Sequence, residues 1–222
     1  MRFLVISDIH GNLENLEKLS DEFKSADAVL FAGDFAEFGK AETGKPVLEL
    51  LCKKHDQVFA VLGNCDESDF LAELEARDIS VQKSAAFFDS LCVCGSGGGS
   101  KFTGTTPFER TDEELLSDFS PVQDGEKWHN LIAIMHNPPK DTKCDMLPNG
   151  IHVGSVLLRD FIEKTEPLAV ITGHIHESAN IDTVGQTIVI NPGALAEGKY
   201  AVLEASSGAD GWKVDSAALK SL

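Results

Sequence analysis

The chain has 222 residues, 42% of them apolar, and 36 acidic against 19 basic side chains give a formal charge of −17. That composition is globular and long enough for one large domain over residues 1–222. Its acidic balance excludes a broad electrostatic grip on long nucleic acid or an anionic membrane.

No apolar run approaches about 18 residues, so no membrane-spanning helix is expected. The first apolar run is short and passes straight into Asp8 without a cleavage signal, which points to a cytoplasmic protein. Five cysteines with no CxxC pair fit a reducing compartment rather than a disulfide framework.

In chain order, Phe3–Ile6 is an apolar run suited to a strand buried on both faces, and it stops at Gly11-Asn12. It delivers Asp8 and His10, which share one side if the backbone stays extended. Leu13, Leu16, Leu19 and Phe23 then recur at helical spacing and predict one amphipathic helix. Ala28–Ala32 is a second strand ending at Gly33-Asp34, and a helix is expected over about Pro46–Lys54. Gln57–Leu62 is a third strand, ending at Gly63-Asn64-Cys65-Asp66, with a helix over about Ser68–Ala76. Three strand–helix units in succession predict a mostly parallel sheet with right-handed crossovers.

Ile79–Val81, Ala85–Phe88 and Leu91–Cys94 lie too close together for intervening helices and predict antiparallel strands. The glycine-rich stretch Gly95–Gly104 lacks the Gly-Lys-Ser/Thr ending of a phosphate loop and reads as a mobile loop. Thr111 and Glu114 have the spacing of a capping box, which starts a helix. Leu131–Met135 is a strand delivering His136, and a helix follows His152–Ser155 through about Lys164. Leu168–Thr172 delivers His174 and His176, and the tail strands Thr187–Ile190, Lys199–Glu204 and Gly211–Asp215 are expected to form a second sheet.

Seven donors therefore follow apolar strands: Asp8, His10, Asp34, Asn64, His136, His174 and His176. Any one of these histidines alone reads as a hydrogen-bonded loop residue. Together, at successive strand ends where open α/β sheets carry their sites, they read as metal ligands, whereas His55 and His129 lack that context. Carboxylate, imidazole and amide donors suit divalent Mn, Fe, Zn or Ni. Four imidazoles and two carboxylates exceed what one tetrahedral ion uses, and two ions sharing a carboxylate would account for the surplus.

The order Asp8-x-His10, Gly33-Asp34, Gly63-Asn64-x-Asp66, His136 and Gly173-His174-x-His176 resembles that of the calcineurin-like metallophosphoesterases, over Met1 to about Glu204. The blocks Thr106–Glu109, His152–Ser155 and Gly173–Ser178 are similar to those of the Icc-related phosphoesterases. The resemblance implies an α/β protein, a four-layer α/β/β/α sandwich with two mixed sheets and the site at the strand carboxyl ends. It implies one ion held by Asp8, His10 and His176 and another by Asn64, His136 and His174, with Asp34 bridging. A hydroxide shared by the two ions would be the nucleophile, since a bound cation lowers the pKa of water from about 15.7 to roughly 7.

Cys65 stands where the family often has a histidine that assists the leaving group, and with Asp66 it is expected just behind the ligands. A thiol, with a pKa near about 8.5, is a poor donor to a phosphoryl group, so diesters are favoured over monoesters with poor leaving groups. His152 and Ser155 are expected at the substrate phosphate, His152 as a catalytic proton donor beside Asp34 and Asn64. The expected partner is a small phosphoester. The alternatives are a protein-binding scaffold of the same fold and a nuclease acting on short nucleic acid. The sequence leaves the oligomeric state open.

Overall fold

The structure is a computed structural model that describes residues 1–102, 104–123, 127–209 and 211–222. Thr103, inside the glycine-rich stretch, lies outside the described residues. Thirteen strands are described: β1 (Arg2–Ile6), β2 (Ala28–Phe31), β3 (Val58–Ala60), β4 (Ala85–Phe88), β5 (Leu91–Ser96), β6 (Gly99–Ser100), β7 (Glu109–Arg110), β8 (Leu131–Met135), β9 (Ala169–Ile171), β10 (Asn180–Val184), β11 (Thr187–Asn191), β12 (Lys199–Gly208) and β13 (Gly211–Ser221). Six α-helices accompany them: α1 (Leu13–Lys18), α2 (Ser20–Ser25), α3 (Gly44–Lys54), α4 (Leu71–Glu75), α5 (Asp112–Ser117) and α6 (Val156–Thr165).

Two large mixed sheets result, one in the order β13-β12-β1-β2-β3 and one in the order β10-β11-β9-β8-β5-β4. The period-2 alternation of the strands builds the layers. Phe3, Val5, Ala28 and Leu30 of the first sheet meet Leu91, Val93, Ile132, Ile134 and Ile171 of the second. The intervening residues Leu4, Ile6, Val29 and Phe31 face α1, α2 and α3 through Leu16, Phe23, Val47, Leu48 and Leu51. On the far side Cys92, Cys94, Leu131, Ala133 and Met135 pack on Leu115 of α5 and Leu158, Phe161 and Ile162 of α6. The layers are helix, sheet, sheet, helix, as the resemblance implied. Among the described residues no helix is long and apolar enough to cross a membrane.

Four expectations are corrected. The helix predicted over residues 13–23 is broken at Leu19 (φ −78, ψ 11), where the Ser20 hydroxyl donates to Glu17 O at 2.6 Å. A serine hydroxyl competing for a backbone carbonyl is a known helix interrupter. Ile79–Val81 is no strand: Ile79 O and the Val81 N–H bond Ala60 of β3, while Val81 O accepts from Gly95 of β5. That segment crosses between the two sheets and runs along neither.

The first half of the glycine-rich stretch, residues 95–99, is buried and mostly strand-paired rather than a loop, whereas Lys101, Phe102 and Gly104 are exposed. β5 runs on to Ser96 beside β8, and β6 pairs in parallel with β7. A Cβ on Gly95 would lie 2.5 Å from Val61 Cγ1, so glycine lets β5 approach the first sheet. The tail does not form one separate sheet: the β12–β13 hairpin extends the first sheet beside β1, whereas β11 pairs with β9 in the second.

Arg110 fixes the segment that follows β5. Its guanidinium is almost fully buried and donates to Gly97 O at 2.9 Å, to Glu114 O at 2.7 Å and to both carboxylate oxygens of the buried Asp118. Replacing Arg110 with Ala leaves the Asp118 carboxylate with the Ser96 hydroxyl at 3.2 Å and the exposed Lys83 at 3.9 Å, and removal of one partner from a buried pair costs about 3–5 kcal/mol. Denaturant unfolding of Arg110→Ala is expected to show a loss of that size; a loss below about 1 kcal/mol would contradict it.

Candidate metal centre

The strands β1, β2, β3, β8 and β9 all end at one edge, and their next residues turn sharply. Asp8, His10, Asp34 and His174 have φ of 54, 47, 63 and 67, the left-handed region that side chains rarely adopt. Such strain persists only where surrounding structure enforces it. Here the enforcement is visible: Asp8 N–H donates to Gly33 O at 2.9 Å, and the N–H groups of Ile9 and His10 both donate to Asp34 O. A Cβ on Gly63 would sit 1.9 Å from Asp34 Oδ1, and one on Gly173 would sit 1.9 Å from Ser7 Oγ. Only glycine allows these turns to nest.

Asp66 ties the ends of β2 and β3 together. Its Oδ2 accepts the N–H groups of Gly63 (2.8 Å), Asp34 (3.1 Å) and Phe35 (3.2 Å), and its Oδ1 accepts that of Ala36 (2.9 Å). The neighbouring Cys65 N–H donates to Asp34 Oδ1 at 2.8 Å, which leaves Oδ2 as the outward-facing oxygen.

The donors face one another across short gaps. Asp34 Oδ2 lies 3.6 Å from His10 Nε2 and 3.6 Å from His136 Nε2. Asp8 Oδ1 lies 3.3 Å from His176 Nε2 and 3.8 Å from His10 Nε2. His10 Nδ1 is 3.1 Å from Ala36 O, and His136 Nδ1 is 2.6 Å from Ala32 O. A carbonyl can only accept, so the proton of each neutral ring sits on Nδ1 and the Nε2 lone pair faces the cluster. Asn64 Oδ1 stands 2.8 Å from His136 Nε2.

Three groupings place their ligand atoms within 4.8 Å of one another: Asp8, His10 and His176; Asp8, Asp34 and His136; and His10, Asp34 and Cys65. His174 belongs to none of them; its ring centroid lies 5.2 Å from that of His136, and its backbone N–H donates to Asp8 Oδ2 at 3.1 Å.

This donor set fits divalent cations. Among the described residues Asp8 Oδ1 is buried with no hydrogen-bond donor, a costly state that a cation would relieve. Two imidazole Nε2 atoms, of His10 and His176, stand 3.2 Å apart beside it. The proton affinities carry the same imprint. Burial, and then the Asp8 charge, raise Asp34 to about 6. Burial and the Asp34 charge raise Asp66 to about 7 against its four backbone N–H donors. Burial and neighbouring His136 push His174 down to about 4. Burial works against Asp8, but His176 and the other imidazoles hold its carboxyl well below the usual range. The Asp8 carboxylate, with Oδ1 3.3 Å from His176 Nε2, raises His176.

Not every expected residue faces this cluster. The Ser155 hydroxyl, expected at an oxyanion, is instead the N-cap of α6: it is buried and accepts the Leu158 N–H at 3.2 Å. His152 Nδ1 bonds the buried Asp145 Oδ1 at 2.7 Å, and on this ring, about 30% exposed, Nε2 bonds none of the described residues. Cys65 lies beside Asp34, and burial with that charge drives its thiol far above the ordinary thiol range. Sequence reasoning missed Asp145, which sits in a polar loop with no motif around it. It also missed the cleft of about 250 Å³ beside the cluster, lined by Asn64, His174, Asn137, Phe102 and Val153 among others.

Residues 1–178 match the calcineurin-like phosphoesterase family. The chain is 36% identical over 199 residues to the uncharacterized protein MJ1162 of Methanocaldococcus jannaschii, covering 86% of this chain and 88% of that one. Among solved structures, TT1561 of Thermus thermophilus aligns with a TM-score of 0.67 at 21% identity, covering 91% of this chain and 93% of that one. An archaeal phosphodiesterase aligns with a TM-score of 0.56 at 17% identity, covering 100% of both chains. This chain belongs to the calcineurin-like phosphoesterase family. Its clustered Asp and His side chains are candidate ligands for the divalent metal ions that the family implies.

A pH dependence follows. Asp34 is raised to about 6, above its unfolded value of about 3.9. Without cations, its contribution to stability is full below the unfolded value and is lost as pH rises through about 6. A cation reverses that loss by taking the proton's place. The rise in melting temperature on adding Mn²⁺ should therefore be large near pH 8 and shrink as pH falls through about 6. An equal rise at about pH 5 and about pH 8 would contradict this assignment.

Proposed function

We propose that this protein is a phosphoester hydrolase that uses two divalent ions and prefers phosphodiesters. The observation carrying this reading is Asp34 Oδ2, equidistant at 3.6 Å from His10 and His136, the two sides of the donor cluster. Asp8, His10 and His176 would hold one ion and Asn64, His136 and His174 the other, with Asp34 shared. Bound ions of this kind supply a water of lowered pKa and neutralise charge on the phosphoryl oxygens. Mn, Fe, Zn and Ni all suit the donor set.

The chain's own residues do the rest. Asp34 is pinned through Oδ1 by Cys65 N–H, so it does not rotate away when charge changes at Oδ2. The carbonyls of Ala36 and Ala32 hold His10 and His136 with Nε2 inward. Burial and the Asp34 charge hold the Cys65 thiol far above the ordinary thiol range, and a thiol is a poor acid for a leaving group. His152, oriented by Asp145 through Nδ1, would in its imidazolium form present Nε2–H to a departing alkoxide. A diester carries less charge and, with a good leaving group, tolerates weak acid assistance. The resemblance of the fold to that of an archaeal phosphodiesterase supports the same preference.

The test is a panel of diesters and monoesters assayed with each of the four metals. Diester turnover should exceed monoester turnover, and chelation should abolish it. Asp34→Asn should lower diester turnover by about 100-fold or more. His152→Gln should slow diesters with poor leaving groups by about 100-fold while sparing activated ones. Protein that binds these metals but turns over no ester would contradict the reading and favour a binding scaffold. Unchanged turnover in His152→Gln would remove that residue from the mechanism.

A further inference from the structure

The cleft beside the metal cluster has an apolar wall that holding a phosphoryl group does not require. Asn64 and His174 form its inner end, and Phe102, Leu147, Val153 and Ile175 line it further out. Phe102 is 90% exposed, so it contributes nothing to the core. An exposed phenyl ring at the rim of a cleft marks a contact surface when the chain is built to keep it there.

Glu109 of β7 supplies that construction. Its carboxylate accepts the backbone N–H groups of Phe102 (3.1 Å), Gly104 (2.8 Å), Thr105 (3.2 Å) and Thr106 (3.4 Å), and the Thr106 hydroxyl at 3.2 Å. Against a burial penalty, these donors pull the Glu109 carboxyl down to about 2. From below, Ser100 N–H donates to Asn137 Oδ1 at 2.9 Å, and Asn137 directly follows His136. The backbone carrying Phe102 is thus tied to the metal-bearing strand end on one side and to Glu109 on the other. Lys101 lines the same cleft.

We infer that this cleft selects phosphoesters whose alcohol carries a planar aromatic ring, which packs between Phe102 and the aliphatic side chains of Leu147, Val153 and Ile175. The inference rests on the hydrolase reading above and names its substrate class. A flat ring suits the site because offset stacking on phenylalanine adds to the area buried. A nucleoside and a simple aryl alcohol offer the same ring chemistry. Glu109 is a positioning residue: it acts through the backbone that carries Phe102.

The probes are monoanionic methylphosphonate esters of methanol, phenol and adenosine, the last through its 5′-hydroxyl. Calorimetric titration into the Mn²⁺-treated and the chelator-treated protein gives their affinities without relying on turnover. The phenol and adenosine esters should bind about tenfold tighter than the methyl ester. Phe102→Ala should bring all three within about threefold, and Phe102→Trp should restore the preference. Glu109→Gln should weaken the two ring-bearing esters and spare the methyl ester. Adenosine bound tighter than phenol assigns a nucleoside; equal affinity assigns aryl alcohols in general. Equal affinity for all three esters, with diester hydrolysis intact, overturns this inference and leaves the hydrolase reading standing. A ring preference that survives Phe102→Ala also overturns it. A ring preference without hydrolysis of any ester contradicts the hydrolase reading and upholds this one.

Discussion

Four backbone N–H groups converge on the Asp66 carboxylate, and the whole donor cluster depends on that clamp. Gly63, Asp34, Phe35 and Ala36 belong to two different strand ends, and a single buried side chain holds them together. The clamp sets the left-handed turn at Asp34, and that turn points Oδ2 between His10 and His136. Each buried N–H would cost on the order of 1–3 kcal/mol if left unsatisfied, so removal of the carboxylate destabilises both turns at once.

The same edge is electrostatically poised for cations. Asp8, Asp34 and Asp66 are all buried, and mutual repulsion with burial pushes two of them upward. The imidazoles cannot resolve this alone, because the lone pairs of His10 and His136 are directed inward by backbone carbonyls. Positive charge placed between these groups offsets the desolvation of the carboxylates and the crowding of the nitrogen lone pairs together. The glycines of the third and fifth motif blocks matter for the same reason: Gly63 and Gly173 leave room where a methyl group would strike Asp34 and Ser7.

Much of this was legible in the sequence where local pattern decides. β1 from Phe3 onward, β2 and β8 are apolar runs buried on both faces, and Asp8, Asp34 and His136 follow them, so the strand ends advertised the cluster. The capping box at Thr111 and Glu114 formed as spaced. Long-range contacts were not legible. The Ser20 hydroxyl broke a periodic helix, residues 79–81 crossed between sheets, and the terminal hairpin chose the first sheet because β1 had a free edge. Gly95, which looks like part of a loop in sequence, is a close-packing position in β5, and Ser155 serves its own helix. The pairing of His152 with Asp145 and the nest around Glu109 join residues whose spacing matches no motif.

The central claim is that donors from five strand ends hold a pair of cations with Asp34 between them. Anomalous diffraction from a crystal soaked in Mn²⁺ tests it most directly. The account predicts two peaks, one against Asp8, His10 and His176 and one against Asn64, His136 and His174, with an Asp34 oxygen touching both. A single peak, or none among these side chains, would contradict it.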